Sequence, residues 1–191
     1  MNFLAHLYLS KHNKELMIGN FIADAVKGKN FEPYTSEVTK GILMHRAIDA
    51  YTDEHPITKM SAARLMPRYK KYAGVIVDVF YDHFLAANWS KYHKQPLANF
   101  ADEVYTLMYE NINILPPKSQ YLLPYMKQHN WLLNYSKIEG IQRTLSGMAS
   151  RTSFISNMQY AVEELEYYYK DFDQEFEAFF KEAINHFEQR F

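Results

Sequence analysis

Cysteine is absent from all 191 residues, which removes disulfides, thiolate nucleophiles and cysteine-ligated zinc sites together. Any side-chain metal ligand must then be His, Asp or Glu. A formal net charge of -1 supplies no global basic field of the kind that draws nucleic acid. Long apolar runs are missing too: "GVIVDVF" is interrupted by Asp78 and then Asp82, well short of the roughly 18 to 20 residues that span a bilayer. No membrane insertion is expected. The opening "MNFLAHLYLSKHNKEL" lacks the basic start and small-residue cleavage site of a secretory leader, so it reads as mature structure, with the cytoplasm as the expected compartment.

Glycine and proline are scarce, at 6 and 7 residues, and apolar residues recur at three- and four-residue spacing along most of the chain. The expected fold class is therefore all-α. Hydrophobic residues make up 48% and charged residues 23%, the balance of an ordinary globular protein, and residues 1–191 read as a single domain. The pattern predicts helices over about residues 2–11, 14–27, 35–51, 56–69, 71–93, 96–113, 118–130, 136–149 and 153–190. Gly28, the "HP" at 55 and 56 and the "PP" at 116 and 117 punctuate them. In the long last helix Phe176, Phe179, Phe180, Ala183, Ile184 and Phe187 form one stripe, and a break near "KDFDQ" is expected from its two aspartates. The acidic runs at 163–166 and 175–177 read as solvated helix surface.

Chemistry concentrates in the first half. In "GVIVDVFYDHFLAANW" two carboxylates, Asp78 and Asp82, lie four apart on one helix face with His83 beside them. Either they are tied to arginine or backbone donors, or they share a divalent cation that offsets their mutual repulsion. "GILMHRAIDAYTDEHP" repeats the geometry with His45 and Asp49. Imidazole and carboxylate together suit Mn, Fe or Zn, and helical bundles build metal sites from polar residues that point inward on facing helices. Asp24, four after Asn20 in "ELMIGNFIADAVKG", and His6, in "NFLAHLYL", are further candidates; a hydrogen-bonded core role is the alternative for each.

The segments "MNFLAHLYLS", "GNFIADAVKG", "GILMHRAIDAYTDEHP" and "AGVIVDVFYDHFLAANW" resemble, in order and spacing, the bacterial acyl carrier protein phosphodiesterases. The resemblance is specific over about residues 1 to 90 and looser beyond. It implies an HD-like helical bundle with a long C-terminal helix, dependent on a divalent metal, most often Mn(II). It also implies hydrolysis of the phosphodiester that joins 4'-phosphopantetheine to a serine of holo acyl carrier protein. The linear His-Asp dipeptide of HD proteins does not occur; Asp82-His83 runs in the reverse order, so ligands cannot be copied position by position.

On that basis the metal ligands are expected among His45, Asp49, Asp78, Asp82, His6 and Asp24. His83 is expected as a proton donor beside Asp82, with His6 as the other choice, and Arg46 as the phosphate clamp or an ion-pair partner of Asp49 or Asp53. Arg64, Arg68, Lys70 and Lys71 in "ARLMPRYKKYAG" form the expected surface for the acidic carrier, or simply a solvated run. Asp53 and His55 cap the following helix or line the pocket, and Arg143 and Arg151 read as surface ion-pair residues or as contacts to phosphate or the acidic carrier. Two other functions remain open: an HD-like hydrolase of nucleotides or other small phosphoesters, and a non-catalytic helical module that binds a carrier protein.

Overall fold

A computed structural model describes residues 1–11 and 13–191, and within these the chain is helical with no strand. The first five helices build one end of the molecule: α1 Phe3–Leu9, α2 Lys14–Ile22, α3 Ser36–Glu54, α4 Pro56–Tyr69 and α5 Ala73–Ala87. Local sequence fixes the starts of α2, α3 and α4. The Asn13 side chain accepts from the Leu16 N–H at 3.1 Å and Thr35 from the Val38 N–H at 3.2 Å, each satisfying a free donor at a helix N-terminus. His55 does the same for Ile57 at 3.3 Å, with Pro56 as the first residue of α4, so His55 takes the capping role.

α2 and α3 cross closely because both present glycine at the contact. A Cβ on Gly19 would overlap the Val38 carbonyl oxygen and stand 2.7 Å from the Gly41 Cα. This approach sets Asn20 and Asp24, on and just after α2, beside the middle of α3. α5 is the central element, with Ile76, Phe80, Tyr81, Phe84 and Leu85 fully buried and α1, α4 and later helices packed around it.

The chain continues through α6 Trp89–Tyr92, α7 Leu97–Glu110, α8 Pro117–Gln128, α9 Trp131–Asn134, α10 Ile138–Ala149, α11 Val162–Tyr167 and α12 Tyr169–Arg190. α12 buries Phe172, Phe176, Phe179, Phe180, Ala183 and Phe187 on one stripe, which closes the core over α4 and α5.

Two expected helices are divided. Residues 71–93 divide at Asn88, whose side-chain amide donates to the Phe84 carbonyl at 3.1 Å and to Asp173 at 3.1 Å, ending α5. The stretch expected to be helical from 153 holds only a 3-10 turn at Met158–Tyr160 before α11, because Thr152 and Ser156 bond local backbone and Asn157 takes a left-handed φ of 58°. The break in the last helix falls at Tyr168, before "KDFDQ" and outside it.

Candidate active site

A cavity of about 460 Å³ opens where α1, α2, α3 and α5 meet. α1 contributes His6, the turn after α2 contributes Asp24, α3 contributes His45, Asp49 and Asp53 at four-residue intervals, and α5 contributes Asp78. Phe3, Phe21, Val75, Val79 and Met148 supply apolar wall, and Lys71 stands at the edge.

Asp49 is the hub. Its Oδ1 lies 3.1 Å from His6 Nε2 and its Oδ2 lies 3.2 Å from His45 Nε2, which is also 3.4 Å from Asp24 Oδ1. One donor atom each from His6, His45 and Asp49 fits within 4.8 Å of the others. The two imidazoles stack, and both are buried while the carboxylates remain open to the cavity.

This crowding of acceptors has electrostatic consequences. Burial opposes charge on His45, but hydrogen bonds to Asp24 and Asp49 outweigh it and raise its pKa to about 9. Burial and the neighbouring His45 charge push His6 down to about 4. Asp49, although burial works against its ionised form, is held well below the usual carboxylate range, chiefly by its bond to His45, and Asp24 is lowered chiefly by its bond to His45. The cluster thus draws positive charge to its centre. Nitrogen and carboxylate donors in this number match the demands of a borderline to hard divalent cation, so the residues fit a metal ion.

His6 Nδ1 lies 3.2 Å from Asn20 Oδ1, and Asn20 Nδ2 donates to Ser10 Oγ at 2.8 Å. Neither Asn20 nor Ser10 is expected from sequence as a site residue; the only signal for them is spacing, since each stands four residues from a polar partner, Asp24 and His6 respectively. Asp78 is met at 2.8 Å by the Met1 amino nitrogen. Asp53 lines the cavity, and burial followed by the charge of Asp78 pushes its carboxyl up.

Other expected site residues are placed elsewhere. Asp82 is fully buried, and its two oxygens accept from the Leu4 N–H at 2.7 Å and the Ala5 N–H at 3.1 Å. It therefore caps the N-terminus of α1 from across the core, the backbone-tied alternative. Desolvation raises its pKa to about 7. His83 faces away from the cavity: its Nδ1 is 2.8 Å from the Tyr135 carbonyl and its Nε2 is 3.0 Å from the Tyr169 hydroxyl. Arg46 donates to the carbonyls of Gly28 at 2.7 Å and Val26 at 2.8 Å, fastening the loop after Asp24.

The expected basic surface also divides. Arg64 forms a two-pronged pair with buried Glu175, at 2.9 and 2.7 Å, and Glu175 also accepts from Ser61 at 2.5 Å. Arg68 is bound to Glu163 at 2.6 Å and Glu164 at 2.7 Å. Lys70 and Lys71 are exposed, and the Lys71 ammonium sits 4.4 Å from the centre of the exposed Phe154 ring.

Fold and site together define an all-helical protein with a two-histidine, two-carboxylate cluster at the floor of an open apolar-walled cavity. The family model described as acyl carrier protein phosphodiesterase matches residues 1–183. A protein named acyl carrier protein phosphodiesterase in Photorhabdus laumondii is 33% identical over 181 residues, covering 94% of this chain and 91% of that protein. Namesakes in Yersinia enterocolitica and Escherichia coli O139:H28 are each 32% identical, with 94% of both chains covered. No solved structure matches. The chain belongs to the acyl carrier protein phosphodiesterase family.

Proposed function

We propose that this protein hydrolyses the phosphodiester between 4'-phosphopantetheine and the serine of holo acyl carrier protein, releasing the apo form, with a divalent ion, Mn(II) by expectation. The observation that carries the reading is the convergence of His6, His45, Asp24 and Asp49 at the cavity floor in a chain of this family. These four residues would hold the ion, and Asp78, engaged by the Met1 amino group, lines the same cavity. When bound, such an ion lowers the pKa of water and neutralises phosphate oxygens.

The chain's own groups account for the rest. Lys71, the one lysine or arginine lining the cavity among the described residues, faces no carboxylate in an ion pair and can bind a phosphate oxygen. It takes the role expected of Arg46, whose guanidinium is occupied by backbone carbonyls. Phe3, Val75, Val79 and Met148 line a path for the methyl and methylene groups of the pantetheine arm. Asp53, which lines the cavity and whose carboxyl is pushed up by burial and by Asp78, would serve as the proton donor for the leaving serine oxygen. Lys71 at the cavity, with exposed Phe154 against it and exposed Lys70 beside it in sequence, would form the surface that meets the carrier, in place of Arg64 and Arg68.

The test is to strip the protein of metal and incubate it with holo carrier protein, with and without Mn(II), following carrier mass. Loss of the prosthetic group only with metal, and its retention with His45→Ala, is the expected result. An unchanged carrier mass with folded, metal-loaded protein would overturn the reading.

A further inference from the structure

We infer that Ser10 and Asn20 are positioning residues that hold the His6 imidazole with its proton on Nδ1, so that Nε2 presents a lone pair to the cluster. This rests on the metal reading above and adds a support for it that the ligands alone do not provide.

The relay begins at Ser10 and fixes one proton at a time. The Ser10 hydroxyl is 3.0 Å from the His6 carbonyl oxygen, which can only accept, so the serine proton is directed there. Ser10 Oγ is then the acceptor for Asn20 Nδ2 at 2.8 Å. That orients the amide, turning Asn20 Oδ1 toward His6 Nδ1 at 3.2 Å. An amide oxygen can only accept, so Nδ1 carries the hydrogen. A neutral imidazole has one ring proton, which leaves Nε2 bare.

The reversed amide would demand the Ser10 proton for Asn20 and withdraw it from the buried His6 carbonyl. Water does not substitute readily, because Ser10, Asn20 and His6 are 0%, 1% and 3% exposed. The consequence lies on the other side of the ring. Nε2 is 3.1 Å from Asp49 Oδ1 and 3.1 Å from the Met1 carbonyl oxygen, so three electron-pair donors face one another. A cation among them would relieve their mutual repulsion. Outer hydrogen bonds of this type fix ring orientation and ligand basicity, and their loss typically costs about 10- to 100-fold in metal affinity.

Two measurements test the relay. In metal-free, nitrogen-labelled protein, long-range proton–nitrogen correlations should assign His6 as the Nδ1–H form; an Nε2–H form would overturn the inference. Mn(II) titration of wild type, Asn20→Leu, Asn20→Asp and Ser10→Ala gives the second readout. Asn20→Leu should weaken binding by about 10- to 100-fold, and Ser10→Ala by less. Asn20→Asp keeps an oxygen toward Nδ1 although its other oxygen draws the Ser10 proton from the His6 carbonyl, and it should bind more tightly than Asn20→Leu. Unchanged affinity in Asn20→Leu, or an Asn20→Asp as weak as Asn20→Leu, would refute the positioning role. Should Asn20→Leu fail to fold, the tautomer and the other two variants decide. Failure of wild type to bind Mn(II) would reject the metal reading, while the tautomer would still judge the relay.

Discussion

The imidazoles of His6 and His45 stack face to face, centroids 3.9 Å apart and planes 17° from parallel, and each points Nε2 at a different oxygen of the same Asp49 carboxylate. Two rings from different helices are thereby aimed at one point. Stacking restricts both rings, so their donor atoms are ordered before any ligand arrives.

Metal binding should release protons. Without metal, His45 holds a proton up to about pH 9 because Asp24 and Asp49 favour its charged form. A divalent ion needs the unprotonated ring, so uptake at about pH 7.5 should expel roughly one proton per site, and affinity should rise with pH until His45 loses its proton. Calorimetry in buffers of different ionisation enthalpy measures this directly. Heats independent of buffer would contradict it.

Asp82 should give a pH-dependent contribution to stability. Unfolded, it ionises near its ordinary value of 3.8; folded, burial delays this to about 7. Between those values the folded state keeps a proton that the unfolded state has lost. Its contribution is therefore fully present below the unfolded value, shrinks as pH rises through the window and is gone above about 7. Urea unfolding of wild type and Asp82→Asn from about pH 4 to 8 should show the wild-type advantage falling with pH. A rising or flat difference would mean that the two α1 N–H bonds keep Asp82 ionised throughout.

Arg64 and Lys71 should separate stability from substrate binding. Removing Arg64 leaves Glu175 buried without its cation, a loss of about 3 kcal/mol or more, with KM for the carrier unchanged once the folded fraction is accounted for. Lys71→Ala should leave the unfolding midpoint near wild type and raise KM by about tenfold, the lower end of what a single hydrogen bond to a charged group contributes. Thermal melts and steady-state kinetics on both variants check the contrast; an elevated KM in Arg64→Ala would restore it to the carrier surface.

The helical fold is legible in the sequence because apolar spacing and capping residues act locally. The glycine pair Gly19 and Gly41 illustrates what is not: nothing in either helix's own pattern says that the two backbones touch. Asp78 and Asp82 show the same limit. Spacing assigns them correctly to one helix, but whether a carboxylate meets a cavity or the end of another helix depends on what packs there. The N-terminus of α1 covers Asp82, and Asp78 opens to the cavity. His83, one residue on, turns to Tyr135 and Tyr169. The pairing of His45 with Asp49, being an i,i+4 relationship within α3, is visible from sequence alone.

Gly19→Ala should strain the α2–α3 crossing. The added methyl meets backbone, which cannot rotate away, and about 2 kcal/mol of stability should be lost. Because Asn20 and Asp24 follow directly, Mn(II) affinity should fall with it. Chemical unfolding and metal titration on the same sample test both, and a neutral substitution would show that the helices can part without cost.

Where a divalent ion sits decides between this mechanism and its rivals. The most direct measurement is an anomalous difference map from crystals of this protein soaked in Mn(II). A peak is expected within coordination distance of His6 Nε2, His45 Nε2, Asp24 and Asp49. A peak outside the cavity, or none in crystals of protein that hydrolyses holo carrier protein, would contradict the proposed metal centre.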